Sequence, residues 1–212
     1  MTDDPLLVPD LATAALVTID VQRDTLDGQP LEVPGTSAAL PPMRSLAAAF
    51  RAAARPIVHM VRLYLPDGSN VDLCRRSAVL AGQPLLLAGS PGSQLAPGLG
   101  PEGMGELDHE ALLAGSPQYL GTGEAVMYKP RWGAFFETAL DDHLRAQGVS
   151  TLVVCGCNLP NCPRTSIYEA SERDYRLVLA RDAVSRLSAE AVVELAGIGV
   201  QVWPTGRIAD GL

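Results

Sequence analysis

One cysteine of this chain lies in a local sequence that favours a nucleophile. Residues 151–155 form a short apolar run typical of a buried parallel strand, and a tight segment with one glycine, one proline and two asparagines follows at 156–161. Pro163 suits the first turn of a helix, because its missing N–H would have no partner there. Cys162 is therefore predicted to lie at a helix N-terminus. The helix dipole and a nearby cation can lower the pKa of such a thiol from about 8.5 to roughly 3.5–7.5.

Two polar residues elsewhere in the chain complement this thiol. Asp20 follows the apolar run at 14–19, and Lys129 follows the apolar run at 125–128. Taken singly, Asp20 is a candidate loop cap and Lys129 a candidate solvated strand end. In an open α/β sheet, however, the carboxyl ends of parallel strands share one edge, and ligands bind there. We therefore expect Asp20, Lys129 and Cys162 to form a catalytic site with a proton acceptor, a cation that favours the thiolate and a nucleophile.

Apolar runs alternate with segments of helical periodicity along most of the chain. Six runs predict strands, at 14–19, 56–63, 125–128, 151–155, 176–180 and 200–203. Helical spacing predicts helices at 41–54, 136–147, 163–175 and 188–196. Such alternation favours parallel strands joined by right-handed crossovers. The predicted fold class is α/β: a single-domain, Rossmann-like three-layer αβα sandwich spanning residues 1–212, with a six-stranded, mostly parallel sheet.

The segment 64–123 breaks this pattern and holds much of the glycine and proline of the chain. A loop of this length in a compact domain is usually functional, disordered or built from short elements. Its sequence is compatible with a helical turn within 105–115 and a short strand at 85–87. We expect the segment to fold over the catalytic edge as a lid, or to form a contact between the subunits of a homo-oligomer.

Composition limits the classes of partner and location. The net charge is −8, and no basic cluster extends beyond Arg75–Arg76, which argues against a nucleic-acid partner. No apolar run is long enough to cross a bilayer, and the acidic N-terminus lacks a signal-peptide pattern. Four cysteines, two of them at positions 155 and 157, do not have the pattern of a disulfide framework. We expect a cytoplasmic protein, not bound to a membrane, whose partner is a small-molecule substrate.

Three segments of the chain resemble the isochorismatase-like cysteine hydrolases, a family that includes N-carbamoylsarcosine and ureidoacrylate amidohydrolases, streptothricin hydrolase and nicotinamidase. The segments are DVQRD at 20–24, KPRWGAFFETAL at 129–140 and CGCNLPNCPRTSIYEASERDY at 155–175. The resemblance covers nearly the whole chain in the order of the family, apart from 64–123. It implies that Asp20, Lys129 and Cys162 are the catalytic triad of this family.

The resemblance also implies the geometry of the turn before the nucleophile. The peptide bond between Cys157 and Asn158 would be cis, and the backbone N–H groups of Asn158 and Cys162 would form an oxyanion hole. Many family members have threonine where Leu159 stands and an aromatic residue where Thr25 stands. We therefore expect this chain to differ from those members in its turn and in one wall of its pocket.

The reaction implied by the resemblance is cysteine-dependent hydrolysis of a C–N bond in a small amide, lactam or N-carbamoyl compound, through a thioester acyl-enzyme. Nicotinamidases of this family bind a metal through an Asp-x-His pair and a further histidine. The predicted second strand, VHMVRLYLPDGSN, has no such spacing, and His59 within it is interpreted as a core residue. We therefore expect no metal and no other cofactor.

Aromatic residues near the triad are candidates for binding the substrate. Trp132 and Phe135 follow Lys129 and could wall a small planar or acyl group. Packing of these rings between helix and sheet is the alternative, and it is the preferred interpretation for Phe136. Trp132 is the better candidate for a pocket wall.

Polar residues near the predicted strand ends are candidates as well. Gln22 lies just beyond the first strand and could orient the triad lysine or the substrate. Arg62 ends the second strand on the catalytic edge and could bind a carboxylate bidentately, with a surface salt bridge as an equal alternative. Arg164 is a weaker candidate of the same kind, as are Arg75 and Arg76.

Three other functions are compatible with these residues. A redox sensor could use Cys155 or Cys157 to resolve a sulfenic acid on Cys162, although it would not explain Asp20 or Lys129. A non-catalytic binding module would not require an intact triad. An isochorismatase-type vinyl-ether hydrolase is the third alternative, but true isochorismatases lack the nucleophilic cysteine, so Cys162 favours C–N hydrolysis.

Overall fold

The computed structural model describes residues 4–212 and contains one seven-stranded sheet. Its strands are β1 (Ala14–Ile19), β2 (Ile57–Val61), β3 (Gln118–Gly121), β4 (Glu124–Tyr128), β5 (Thr151–Gly156), β6 (Arg176–Val184) and β7 (Gln201–Trp203). The order across the sheet is β3-β4-β2-β1-β5-β6-β7. All neighbouring strands are parallel except β3, which pairs antiparallel with β4 at one edge. The predicted α/β class and mostly parallel sheet are confirmed, with seven strands rather than six.

The α-helices cover both faces of the sheet. They are α1 (Thr36–Ala52), α2 (Leu73–Leu80), α3 (His109–Leu113), α4 (Leu140–Ala146), α5 (Cys162–Ser171), α6 (Ala189–Ala196) and α7 (Thr205–Ala209). Buried residues of α1 and α7 join one hydrophobic cluster, whereas those of α4, α5 and α6 join a second. These two clusters lie on opposite faces of the sheet and produce the three layers.

Strand β1 shows why the central strands read as continuous apolar runs. Ala14 and Leu16 belong to the first hydrophobic cluster, whereas Ala15 and Val17 belong to the second. All residues of the strand are buried. Successive side chains of a strand face opposite sides, so a strand covered on both faces is apolar at every position.

The sequence predicted a helix that begins at residue 41, but helix α1 begins earlier, at Thr36. The residue before it, Gly35, has a φ of 87°, a conformation that glycine adopts at little cost. Pro41 and Pro42 lie inside the helix. In the sequence these two prolines indicated that the helix starts near residue 41, because proline is most common in the first turn of a helix.

The helix predicted at 136–147 is shorter in the structure, where only α4 is helical. The preceding residues are held by side chains of other elements. The N–H of Phe135 donates to the Glu169 carboxylate at 2.9 Å, and Glu137 has a φ of 51°. A residue in the left-handed region interrupts a right-handed helix.

The segment 64–123 contains α2, α3 and β3. A helical turn was predicted within residues 105–115, and helix α3 confirms this prediction. The prediction of a strand at 85–87 is wrong. Among these three residues only Leu87 is paired, in an isolated bridge with Tyr64. Strand β3 was not predicted, because its sequence QYLG alternates between half-buried and exposed residues and has no apolar run.

Over residues 4–212, the helices are too short or too polar to pass through a bilayer. All four cysteines are free thiols.

Candidate active site

The sheet order places the ends of β1, β2 and β4 side by side. Asp20 follows β1, with a φ of 52° that turns the chain away from the strand. Lys129 follows β4, two strands away, and its N–H donates to the carbonyl of Val61 at 3.0 Å. Neighbouring strands lie about 4.8 Å apart, so a lysine side chain can span the end of β2 and reach Asp20. Lys129 Nζ lies 3.0 Å from Asp20 Oδ2.

The Lys129 ammonium is fully buried, and its hydrogen-bond partners fix its position. Besides the Asp20 carboxylate, Nζ donates to the carbonyls of Arg131 and Trp132, each at 3.2 Å. A buried cation with several acceptors keeps its charge and its geometry. The other oxygen of the same carboxylate, Asp20 Oδ1, is buried and has no hydrogen-bond partner within the described part of the chain. The ion pair thus leaves one carboxylate oxygen available as a proton acceptor.

Cys162 is the first residue of α5, as predicted, and it is buried. Burial raises the pKa of its thiol to about 11, and the negative charge of Asp20 raises it further, whereas Lys129 acts in the opposite direction. The expected lowering of this pKa is therefore not found, because loss of hydration and a nearby carboxylate outweigh the cation. In the resting site the sulfur is a thiol next to a carboxylate.

The turn between β5 and α5 brings the thiol to this edge. Gly156 lies so close to β1 that a Cβ atom on it would be 2.3 Å from the carbonyl oxygen of Ile19. The N–H of Cys157 donates to that oxygen at 2.9 Å. The N–H of Leu159 donates to the carbonyl of Ser185 at 3.0 Å and anchors the middle of the turn.

The cis peptide bond implied between Cys157 and Asn158 is not present: the bonds within residues 4–212 are all trans. The chain turns instead through Asn158, which has a φ of 81°, and asparagine tolerates the left-handed region better than most residues. The N–H groups of Asn158 and Cys162 have no acceptor among the hydrogen bonds of the described residues. Both remain free to donate to a ligand.

A cavity of about 20 Å³ contains the thiol and the carboxylate. Its walls come from the loop after β1, from α2 and the loop that follows it, and from the turn after β5 with the first residue of α5, and they are Asp20, Thr25, Leu31, Val33, Arg75, Leu86, Cys157, Asn158, Asn161 and Cys162. Thr25, expected to alter one wall of the pocket, is one of these walls. Such a volume holds about one water molecule. Arg75 and Leu86 come from the segment 64–123, so that segment covers the thiol.

Arg62 directly follows β2, which lies between β1 and β4, and only 1% of its surface is exposed. Its Nη1 donates to Asp72 Oδ2 at 2.8 Å and to the carbonyl of Pro130 at 3.1 Å. The Nε and Nη2 atoms have no acceptor in residues 4–212. The surface salt bridge considered for Arg62 is instead a buried one.

Asp72 connects Arg62 to two residues of the segment 64–123. The Tyr64 hydroxyl donates to Asp72 Oδ2 at 2.7 Å, and Arg75 Nη1 donates to the Tyr64 oxygen at 3.0 Å. Although burial raises the pKa of Asp72, the charge of Arg62 and the hydrogen bond from Tyr64 leave that pKa below its usual range. Arg62, Tyr64, Asp72 and Arg75 are called the arginine cluster below. Sequence reasoning missed Tyr64 and Asp72, and only the basic pair Arg75–Arg76 gave a signal in this segment.

Gln22 lies near the triad but contacts neither Lys129 nor the cavity. Its Nε2 donates to the carbonyls of Arg62 (2.9 Å) and Ser93 (2.6 Å), and its Oε1 accepts from the Arg62 N–H at 2.9 Å. These hydrogen bonds fix the end of β2, and a role of Gln22 in orienting Lys129 or the substrate stays a prediction.

The other candidate binding residues lie outside the thiol cavity. Phe135 is buried, with its ring 5.9 Å from that of Tyr175, and Arg164 Nη1 pairs with Glu194 Oε2 at 2.6 Å. Trp132 borders a separate open cavity of about 630 Å³. Phe136 lines this open cavity too and is partly exposed, so its interpretation as a packing residue is wrong. Whether these side chains contact the substrate stays a prediction.

His59 is a core residue, as interpreted from the sequence. Its Nδ1 lies 2.8 Å from Thr18 Oγ1, and its Nε2 lies 2.8 Å from Glu124 Oε1. Burial lowers the pKa of this imidazole. The part of the chain that the structure describes has no group of three or more His, Cys, Asp or Glu residues positioned to hold a metal ion.

Comparison with known proteins relates this geometry to named enzymes. The isochorismatase domain family matches residues 14–196. The chain is 29% identical over 172 residues to the maleamate amidohydrolase of Pseudomonas putida, a match covering 80% of this chain and 71% of that enzyme. It is 28% identical over 218 residues to the ureidoacrylate amidohydrolase of Methylobacterium radiotolerans, covering 95% and 78%.

A solved structure supports the same relationship. The crystal structure of an isochorismatase family protein from Desulfovibrio vulgaris superimposes with a TM-score of 0.79 at 32% identity, covering 93% of this chain and 97% of that one. Sequence and fold therefore agree over most of the length. The chain therefore belongs to the isochorismatase family.

Proposed function

We propose that this protein is a cysteine amidohydrolase that cleaves a C–N bond of a small amide or N-carbamoyl compound through a thioester on Cys162. One observation carries the proposal. The carboxylate of Asp20 is held by Lys129 at 3.0 Å through one oxygen, and its other oxygen is unpaired among residues 4–212 in the cavity that contains the thiol. A buried nucleophile with a base and a fixed cation is the arrangement that acyl transfer requires.

Acylation begins from a neutral thiol, because the pKa of Cys162 is raised to about 11. Asp20 accepts the S–H proton as the sulfur forms a bond to the carbonyl carbon, so no free thiolate accumulates. The carbonyl electron pair moves onto oxygen, where the N–H groups of Asn158 and Cys162 donate to it. One such donor typically stabilises the transition state by about 2.7–4 kcal/mol.

The tetrahedral intermediate collapses when its C–N bond breaks. The Asp20 carboxylic acid gives its proton to the departing nitrogen, which leaves as ammonia or an amine, and a thioester remains on Cys162. Water then attacks the thioester carbonyl while Asp20 accepts its proton. Breakage of the C–S bond returns the proton to sulfur and releases the acid. Lys129 takes no part in these proton transfers and keeps Asp20 in place.

The substrate must be small, and the cavity must open to admit it. A volume of about 20 Å³ holds about one water molecule and is too small for even the smallest amide. Leu86 and Arg75 come from the segment 64–123, so movement of that segment as a lid would enlarge the site. The names of the relatives, maleamate and ureidoacrylate amidohydrolase, suggest the size and type of compound to test.

Ammonia release from a panel of primary amides and ureido acids, together with ring opening of lactams followed by mass spectrometry, tests the proposal. The wild-type protein is expected to turn over at least one of them and Cys162→Ala none, while Cys74→Ala, which removes an exposed thiol, keeps wild-type turnover. Mass spectrometry of acid-quenched reactions should find the acyl group on Cys162. Full turnover by Cys162→Ala would contradict the proposal, and vinyl-ether cleavage that persists in this variant would favour the isochorismatase-type reaction.

The redox-sensor alternative is weaker in the structure. Cys157 lines the same cavity as Cys162, but burial raises the pKa of its thiol to about 12, with a further contribution from Asp20. Disulfide formation requires a thiolate as the attacking group. Two thiols that both hold their protons are better suited to base-assisted catalysis than to rapid disulfide formation.

A further inference from the structure

Asp24 is a buried carboxylate that the reaction steps proposed above do not use. It lies four residues after Asp20 and is 4% exposed. Its Oδ2 accepts a hydrogen bond from the N–H of Leu86 at 2.7 Å. Burial raises the pKa of Asp24, and the hydrogen bond from Leu86 opposes this rise. On the side of Oδ1, the backbone at Gly92 comes so close that a Cβ atom there would overlap the carboxylate. Two residues of the segment 64–123 therefore enclose Asp24.

Leu86, which donates this hydrogen bond, has a strained backbone. Its φ is 47°, in the left-handed region that leucine rarely adopts. Its side chain is 1% exposed and lines the thiol cavity together with Cys162. Such strain costs free energy and persists only where the surrounding structure holds the residue, often at a functional site. Without Asp24 the buried N–H of Leu86 would lose its acceptor, so this bond favours the strained conformation.

The backbone around Leu86 is fixed by bonds that do not involve Asp24. The carbonyl of Leu86 accepts from the N–H of Tyr64, and the N–H of Ala88 donates to the carbonyl of Tyr64, each at 2.9 Å. The N–H of Gly89 lies 2.9 Å from Nδ1 of His109. These bonds remain when the Asp24 bond breaks. The resulting movement is therefore local to Leu86 and leaves the rest of the segment in place.

Asp24 also holds a second apolar wall of the thiol cavity. Its backbone carbonyl accepts from the N–H of Leu31 at 3.0 Å. Leu31 packs against the hydrophobic cluster that contains Leu86, and both leucines line the cavity. The cavity holds about one water molecule, so a substrate must displace one of its walls to reach Cys162. The wall that depends on a single side-chain hydrogen bond is Leu86.

We propose that Asp24 is a positioning residue that holds the side chain of Leu86 over Cys162, and that release of the bond between Asp24 and the Leu86 N–H admits the substrate. This assignment rests on the proposed amidohydrolase function, because the cover regulates access to the same thiol. The two carboxylates of the segment DVQRD then have separate tasks. Asp20 acts on the proton of the thiol, whereas Asp24 controls access to it through Leu86.

Alkylation of Cys162 by iodoacetamide, followed by mass spectrometry, tests the proposal without requiring turnover. Asp24→Ala should raise the rate about tenfold or more, because a hydrogen bond to a charged acceptor no longer keeps the cover closed. The increase should be similar at every pH, since the charges that shift the pKa of the thiol belong to Asp20, Lys129 and Arg62. An increase confined to one part of the pH range would show that Asp24 acts on thiol ionisation and would overturn the proposal.

A double-mutant cycle shows whether Asp24 acts through Leu86. Leu86→Ala should raise the rate of Cys162 alkylation at least as much as Asp24→Ala, because it shortens the covering side chain and leaves Asp24 in place. Adding Asp24→Ala to Leu86→Ala should then change the rate by less than about twofold, since both substitutions remove the same cover. Effects that multiply in the double variant, or a wild-type rate in Leu86→Ala, would overturn the proposal. The second outcome decides even if Asp24→Ala does not fold.

Two further variants and one internal standard separate access from loss of structure. Asp24→Asn should restore most of the slow rate, because its amide oxygen can still accept from the Leu86 N–H. Asp67→Ala is the matched control: Asp67 lies in the same segment and accepts from the N–H of Ser69 at 3.0 Å in an exposed turn, so the rate should not change. Cys155, which is 0% exposed, should stay unmodified in every variant. Modification of Cys155 in step with Cys162 would mean unfolding rather than opening and would count against the proposal.

The outcomes for access and for turnover are independent. If amides are hydrolysed but Asp24→Ala alkylates at the wild-type rate, the role of Asp24 is refuted and the proposed function stands. If no amide or ureido acid is hydrolysed while the double-mutant cycle gives the expected result, the proposed function fails and control of access to the thiol by Asp24 remains supported.

Discussion

At the residue scale, the side chain of Cys162 behaves differently from a free surface thiol. Its pKa is raised to about 11 by burial and by Asp20, so at neutral pH almost all of it is protonated. The reactive form toward simple alkylating agents is the thiolate. The rate of alkylation therefore depends on a minor species, whereas catalysis can use Asp20 as a base during the attack.

This thiol pKa predicts a pH dependence. The rate of Cys162 modification by iodoacetamide should rise continuously from pH 6 to pH 10 and show no plateau near neutrality, because the fraction of thiolate grows about tenfold per pH unit below the pKa. Peptide mass spectrometry at a series of pH values gives the rate for Cys162 separately from that for the exposed Cys74. A plateau below pH 8 would show that the thiol is a preformed thiolate and would remove the need for Asp20 as base.

Asp20→Asn separates the two effects of the carboxylate. Turnover should fall by a factor of about 10² to 10⁴, the usual contribution of a general base. The alkylation profile of Cys162 should move to lower pH, because the variant removes the charge that raises the thiol pKa and leaves Lys129 without its counter-ion. Asp142→Asn, at an exposed position of α4, is the control and should change neither measurement. A profile that moves to higher pH would contradict the electrostatic account.

That Asp20, Lys129 and Cys162 lie at one edge of the sheet could be predicted from sequence, because each residue follows a readable strand. Asp20 and Lys129 come directly after buried apolar runs, and Cys162 follows a third by a short turn. The direction of the thiol pKa shift could not be predicted, because it depends on how deeply the helix N-terminus is buried. The buried salt bridge between Arg62 and Asp72 could not be predicted either, because Asp72 lies in a segment without periodic spacing of apolar residues.

At the element scale, close contact between β1 and β5 sets the position of the catalytic turn. Ile19 pairs with Gly156 at the ends of these strands, and the N–H of Cys157 donates to the carbonyl of Ile19. Gly156 has a φ of 127°, and an added Cβ would overlap Ile19. The glycine is thus required both by its conformation and by the approach of the neighbouring strand.

Gly156→Ala should therefore destabilise the fold strongly. Overlap with the backbone of Ile19 and strain at Gly156 should together lower the free energy of unfolding by about 2–5 kcal/mol. For a chain of this size that corresponds to a fall in the melting temperature of roughly 5–15 °C, measured by circular dichroism. Gly105→Ala is the control, because a Cβ there meets no atom within 4 Å and the φ is not positive. Equal melting temperatures for the two variants would contradict the close approach.

The elements that the sequence did not predict share a physical cause. Strand β3 lies at the sheet edge and helix α2 covers the site from outside, so neither has the continuous apolar run of a buried element. Helix α2 nevertheless carries Arg75 to the cavity. The periodic spacing of apolar residues arises because a helix or strand buries one or both of its faces. Elements that are only half buried therefore show little of this spacing.

At the scale of the whole molecule, the catalytic edge and the opposite end of the sheet have different tasks. Glu124 begins β4, at the end of that strand opposite to Lys129. Its carboxylate accepts two hydrogen bonds from Arg51, each at 2.7 Å, and lies 2.8 Å from His59 Nε2. This buried polar network ties α1 to the sheet and does not touch the thiol cavity, so it serves stability.

The network determines how stability changes with acid. Although burial raises the pKa of Glu124, the hydrogen bonds from Arg51 and His59 bring it down to about 2, below its ordinary value of 4.5. The unfolded chain therefore binds a proton that the folded protein excludes, and this contribution to stability is lost as the pH falls from 4.5 towards 2. Burial lowers the pKa of His59 below 6.5, so the folded protein also excludes a proton that the unfolded chain binds below that pH. Both groups make stability fall on acidification.

Glu124→Gln tests this account over the whole molecule. At pH 7 it should lower the free energy of unfolding by about 2–4 kcal/mol, because Arg51 and His59 lose a charged partner. Between pH 4.5 and pH 2 its stability should fall less than that of the wild-type protein, since the titrating carboxylate is absent, while the loss below pH 6.5 from His59 remains. Urea unfolding at several pH values measures both effects, with Glu102→Gln at an exposed position as control. Parallel curves for wild type and Glu124→Gln below pH 4.5 would show that Glu124 is not the group whose protonation destabilises the fold in acid.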